Sequence, residues 1–179
     1  MIIAVGGPPG SGKTTAAERF AKAHTYHLVS AGLKFRTMAK ARGIGLSEFG
    51  RAAERDHDID RALDRDVLEE VLRHDASGRD VIVDGRIQAQ LLKARRVPAL
   101  KVLLDAPLPV RVARVADRES KPAADVEIEI REREASERRR YREIYQIDLD
   151  DRSAFDMVID SSSLGPDEIV RKIWSQVDR

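Results

Sequence analysis

Cysteine is absent from the chain, which excludes disulfide staples and any thiolate-ligated zinc or iron–sulfur centre. No stretch approaches the roughly 20 apolar residues that cross a bilayer. A charge excess is missing too. The 32 lysines and arginines face 31 acids, so the basic surplus typical of a protein that binds a nucleic-acid polymer is not there. Histidine is scarce, and His24, His27, His57 and His74 are scattered, with no spacing that suggests a metal set or a triad, so each reads as structural or exposed. Met1-Ile2-Ile3-Ala4-Val5 lacks the charged start and long apolar centre of a signal segment, and a cytoplasmic protein is the expectation. No internal repeat or low-complexity linker interrupts the chain. What remains is 179 residues, 42% hydrophobic and 35% charged, which fits one folded domain with a single core. Without an extended heptad seam, a monomer is expected.

Four short apolar runs read as buried parallel strands: Ile2–Val5, Val81–Val83, Lys101–Leu104 and Met157–Ile159, with His27–Ser30 as a weaker fifth. Helical patterns lie between them, beginning with Thr14–Ala23, where Ala17, Phe20 and Ala21 share a face. Alternation of strand and helix predicts a doubly wound, three-layer α/β fold. Residues 32–73 read as helices only, with Ser47 as an N-cap candidate before Phe49. A second helical stretch, Val110–Tyr145, breaks near Ser120-Lys121-Pro122. A final helix opens at Leu164-Gly165-Pro166 and carries Trp174 on its apolar face.

Gly7-Pro8-Pro9-Gly10-Ser11-Gly12-Lys13-Thr14 has the full spacing of a P-loop. Its glycines let backbone N–H groups curl around a polyphosphate at a helix N-terminus, Lys13 reaches β and γ oxygens, and the Thr14 hydroxyl binds Mg²⁺. Asp84 follows Val81-Ile82-Val83, at the strand edge where open α/β sheets bind ligands, and is a second candidate for the Mg²⁺ shell. Asp105 and Asp160 stand at equivalent strand ends and read either as metal neighbours or as turn and cap residues. Arg86, two residues beyond Asp84, is placed to clamp a phosphate bidentately; its alternative is a surface ion pair.

Between Arg111 and Glu143 nine arginines and Lys121 mingle with nine acids, so many are ordinary helix-surface partners. Arg133 and Arg140 nevertheless share a face, as do Arg114 and Arg118, and such pairs can close over a triphosphate. On the acceptor side, Ser30-Ala31-Gly32 ends the second strand and Phe35-Arg36 follows. Arg36 is a candidate for an acceptor phosphate, or else a plain surface arginine.

These segments together resemble the nucleoside monophosphate kinases, and within them the short, archaeal-type cytidylate kinases. The resemblance runs over nearly the whole chain. It rests on Gly7–Thr15, Ser30-Ala31-Gly32 with Phe35-Arg36, Leu46–Gly50, Ile59-Asp60 with Leu63-Asp64-Arg65, Asp84-Gly85-Arg86, Glu134–Asp148 and Asp160-Ser161. It implies a five-stranded parallel P-loop core over about 1–31, 74–120 and 140–179, a helical monophosphate-binding insertion over about 32–73, and an arginine-rich lid over about 121–133. ATP would bind from Gly7 to Thr15, with Arg114 or Arg118 against the adenine. Ser30, Gly32, Arg36 and Arg86 would contact the monophosphate, and Arg133 and Arg140 would bridge donor and acceptor. The implied reaction is ATP plus CMP, or dCMP, giving ADP plus the diphosphate, with Mg²⁺ and no covalent intermediate.

Longer bacterial cytidylate kinases follow Asp-Gly-Arg with an aspartate that helps read the nucleotide, whereas this chain has Ile87. Base reading then falls to other residues, with Asp60, Asp64 and Arg65 as candidates. Adenylate kinase, a kinase of a non-nucleotide acceptor, and an ATP-driven assembly factor on the same fold are the competing readings.

Overall fold

The computed structural model describes residues 1–177. Five parallel strands, β1 (Ile2–Gly6), β2 (His27–Ser30), β3 (Val81–Asp84), β4 (Leu100–Asp105) and β5 (Met157–Asp160), form one sheet in the order β2-β3-β1-β4-β5. Strand β1 is buried along its whole length, as expected of an apolar run covered on both faces. All five strand readings hold, and the weak one, β2, is an edge strand, where flanking pairs no longer demand continuous apolarity.

Helices α1 (Lys13–His24), α2 (Ala31–Ala41), α3 (Leu46–Arg55), α4 (Asp58–Ala76), α5 (Gln88–Ala94), α6 (Leu108–Glu119), α7 (Ala123–Tyr145) and α8 (Pro166–Val177) complete the described residues. One side of the sheet packs Ile3, Val5 and Ile82 against α1 and α8 through Phe20, Ile169 and Ile173. The other packs Ile2, Ala4 and Val83 against α4 and α5 through Leu63, Val67, Val71 and Leu92. Each fully buried aliphatic side chain contributes about 1.5–3 kcal/mol, so the sheet is the rigid member of the molecule.

Three details depart from the sequence reading. Ser47 does not cap α3; Gly45 holds that position, and Ser47 lies inside the first turn. Helix α5 was not anticipated, because its 7 residues are too few to display a period. The break near Ser120-Lys121-Pro122 is present: after the turn at Ser120, whose φ of 52° ends α6, α7 starts at Ala123 and runs unbroken for 23 residues. The implied core boundary at residue 140 therefore falls within a helix. Trp174 is only half-buried, with its ring stacked on His24 at 3.8 Å.

Candidate active site

The carboxyl ends of β1, β2 and β3 open onto a cavity of about 390 Å³ lined by Pro9–Thr15, by Gly32, Phe35, Arg36 and Asp64, and by arginines of α6 and α7. The P-loop gets its shape from close approach. Gly10 has φ 81°, and a Cβ there would lie 2.8 Å from the Arg111 carbonyl oxygen, so only glycine fits. Arg111 is the reason the loop sits so tightly. Its buried guanidinium donates to the Pro9 carbonyl at 3.0 Å and to Glu134 Oε1 at 2.8 Å, while its Nε donates to Ala106. Arg111 thus ties the P-loop to α6 and α7, a role that its surroundings in sequence did not signal.

Lys13 stands half-buried at the start of α1. Burial, then the neighbouring Arg133, lower its ammonium to about 8 from 10.5. Beside it the Thr14 hydroxyl donates to Asp84 Oδ2 at 2.7 Å. The other carboxylate oxygen, Oδ1, is buried without a hydrogen-bond partner among the described residues. A buried orphan oxygen next to a P-loop hydroxyl fits a hard cation, because leaving such an oxygen unsatisfied costs free energy that an ion offsets. Asp105 and Asp160 play no such part. Asp105 accepts from its neighbour Ala106 N and from Arg152, and Asp160 accepts from Ser162 N. Both are the turn residues of their alternative reading.

Glu137 organises the arginines, and the sequence reading passed over it among many helix acids. Arg86 Nε and Arg133 Nε each donate to it at 2.8 Å. Desolvation alone would raise its carboxyl, but the two guanidiniums overcome that and hold it at about 2. Arg86 is therefore in an ion pair, yet one at the cavity wall with a side chain only 12% exposed, so its two readings merge. Arg140 forms a buried pair with Asp60 at 2.5 Å and lies 5.7 Å from the centre of the Phe35 ring. Asp60 is fully buried in that pair and does not line the cavity. Arg65 is exposed and likewise outside it.

On the acceptor side, Arg36 and Gly32 line the cavity. Ser30 does not, because its hydroxyl caps α2 by accepting from Leu33 N at 3.2 Å. Asp64 does face the cavity, together with Gln88 of α5, which donates to it at 3.1 Å. Burial raises the Asp64 carboxyl to about 7, against the opposing bonds donated by Tyr145 and Gln88. Gln88 reaches this place because Asp84-Gly85-Arg86 turns tightly; a Cβ on Gly85 would strike the Gln88 amide and Ala31.

At the other end, Arg114 donates to Ser161 Oγ at 3.1 Å and to the carbonyls of Ser161 and Ser162. It shares that wall with Val115, Arg118, Leu164, Pro166 and Ile169. Arg118 is exposed and paired with Glu119. Thr15 lines the cavity, whereas Gly7 and Pro8 do not. A second cavity of about 680 Å³ continues between α3 and α7.

The sequence model of the cytidylate kinase-like family matches residues 2–163. A cytidylate kinase of Methanocaldococcus jannaschii is 41% identical over 99% of this chain and 98% of its own. One of Methanococcoides burtonii is 44% identical over 90% and 88%. Among solved structures, a shikimate kinase from Bacteroides thetaiotaomicron shares the fold with a TM-score of 0.64 at 15% identity, covering 100% of this chain and 99% of that one. A gluconokinase from Sinorhizobium meliloti does so with a TM-score of 0.61 at 19% identity, covering 99% and 91%. With the P-loop, the Asp84 carboxylate and the arginines gathered around one cavity, this chain belongs to the cytidylate kinase-like family.

Proposed function

We propose that the chain transfers the γ-phosphoryl group of ATP to CMP and dCMP, giving ADP and the corresponding diphosphate. The observation that carries this reading is that one cavity presents donor-side groups, Lys13 and Thr14, and acceptor-side groups, Arg36 and Asp64, across the arginines of Glu137. The P-loop N–H groups and Lys13 cradle the β and γ phosphates, and the adenine lies along Arg114, Val115 and Ile169, with Arg118 at its rim. Thr14 and Asp84 would hold Mg²⁺, which when bound neutralises charge on the phosphate oxygens. The helices of residues 32–73 hold the monophosphate, Arg36 and Arg86 take its phosphate, and residues 121–133, the turn before α7 and its first turns up to Arg131 and Arg133, close over the donor.

The acceptor needs no general base, since a phosphate monoester with a second pKa near 6 is mostly dianionic at neutral pH. Catalysis then reduces to alignment and charge stabilisation. Glu137 contributes to alignment by holding Arg86 and Arg133 in place before substrate arrives, so their ordering entropy is lost in folding and not at binding. For the base, Asp64 accepts from the cytosine amino group, with Gln88 fixing its orientation. Above its pKa of about 7 the carboxylate is ionised and repels the oxygen that uracil offers there.

A coupled assay of ADP release from ATP and Mg²⁺, with CMP, dCMP, UMP, AMP and GMP supplied separately, tests the proposal. Fast turnover is expected with CMP and dCMP and little with AMP or GMP; no stimulation by any monophosphate sinks it. Asp64→Asn, whose amide both donates and accepts, is expected to narrow the CMP preference over UMP by about 10-fold.

A further inference from the structure

At the amino ends of the strands, away from the nucleotide cavity, the first residue of β2 meets the last turns of α4. Three side chains converge there: His27, Glu70 and His74 each offer one ligand atom, and those atoms all lie within 4.8 Å of one another. Glu70 and His74 are one helical turn apart on α4, so they rise from a single face. His27 reaches them from the strand, with its Nε2 3.3 Å from Glu70 Oε1. The two imidazole rings are 3.7 Å apart between centroids and tilted by 32°.

The surroundings divide the carboxylate in two. Lys34 Nζ lies 2.8 Å from Glu70 Oε2, while Oε1 faces the imidazole. One oxygen is thus occupied by a cation of the protein, and the other remains for monodentate ligation. All three side chains are half-buried, which leaves one side open to water. Two imidazoles, one carboxylate oxygen and a water make up a tetrahedral donor set suited to zinc and its neighbours, with ligand bonds of about 2.0–2.2 Å that modest side-chain rotation supplies.

The position gives such an ion a mechanical consequence. The chain enters the helices of residues 32–73 through β2 and leaves them through α4. We propose that His27, Glu70 and His74 bind one divalent transition-metal ion of the zinc class, separate from the Mg²⁺ position at Thr14 and Asp84, and that it clamps the root of this helical insertion. This site does not depend on the phosphoryl-transfer reading.

The test uses the full chain, stripped with chelator and kept in excess Mg²⁺ without nucleotide. It is titrated with Zn²⁺ by calorimetry and with Co²⁺ by visible absorption. One equivalent of each is expected, with the strong d–d bands of tetrahedral Co²⁺ and a rise in Tm on Zn²⁺ addition. His27→Ala and His74→Ala are each expected to weaken Zn²⁺ at least about 10-fold and to abolish the Tm rise, while circular dichroism and Mg²⁺-dependent turnover stay at the wild-type level. Asp84→Asn is expected to bind Zn²⁺ as the wild type does. A wild-type chain that takes up no Zn²⁺ by either readout overturns the proposal. So does wild-type affinity in the histidine variants, or loss of binding in Asp84→Asn, which would put the ion at the P-loop.

Discussion

Lys13 shows how a single position sets the response of the site to charge. Its ammonium is lowered to about 8 because burial and Arg133 disfavour the cation, and a triphosphate placed against it reverses both effects. The bound form then has the higher pKa, so nucleotide binding takes up a proton near and above pH 8 and none near pH 6. Calorimetry of ATP binding in two buffers of different ionisation enthalpy at pH 8 is expected to report uptake of about half a proton. Lys13→Ala abolishes that uptake and lowers kcat by about 10²-fold or more; an unchanged kcat would remove Lys13 from the chemistry. Arg36 makes a different prediction. It lines the acceptor side only, so Arg36→Ala is expected to raise KM for CMP about 10-fold while KM for ATP changes little. Equal effects on both substrates would place it elsewhere.

At the scale of the element, α7 changes character along its length. Val126 and Ile130 pack on Val112 and Val115 of α6, and further on the same face presents the buried Glu137 and Arg140. The helix enters the molecule as an apolar strut and leaves as a charged rail above the cavity. Glu137 neutralises that rail. Removing its charge by Glu137→Gln leaves Arg86 and Arg133 facing Lys13 without compensation, a loss of about 3 kcal/mol in urea unfolding at neutral pH. The carboxyl is held at about 2 against an ordinary value of 4.5. Its stabilisation is thus present above pH 4.5 and lost as pH falls through 2, and wild type and variant should converge over that window. ATP should also narrow the gap at neutral pH, because phosphate oxygens replace the carboxylate. A gap that is independent of both pH and ATP would contradict this account.

Across the whole molecule, the carboxylate proposed to read the base costs stability. Asp64 is 4% exposed, and its carboxyl is raised to about 7 from 3.8. Between those values the folded protein keeps a proton that the unfolded chain has released. The contribution of Asp64 is therefore complete below pH 3.8 and falls by about 1.4 kcal/mol per pH unit up to 7, then levels off. Asp64→Asn has no such slope. It is expected to gain stability relative to the wild type progressively between pH 4 and 7, read from urea midpoints at each pH; a constant difference would mean that Asp64 does not titrate there.

The sequence by itself determined the strands, the P-loop and its helix, and the break before Pro122, because each is written in local signals: apolar runs, glycine spacing, proline. It also singled out Arg36, Asp84, Arg86 and Arg133, all of which line the cavity, since strand ends and a shared helix face are positions that spacing alone defines. Asp64, which lines it too, was a candidate through the family resemblance, beside Asp60 and Arg65, which do not. Tertiary structure decided the partners. Glu137 was one acid among many on a charged helix until folding placed two guanidiniums on it, and Arg111 one arginine among nine until the Pro9 carbonyl met it. Ser30 was drawn away to cap α2, and Asp60 was enclosed under Arg140. His27 and His74, scattered along the chain, became neighbours. In each case the deciding contact joins residues distant in sequence, and burial, which sets the strength of a charge pair and the direction of a pKa, exists only once the layers have closed.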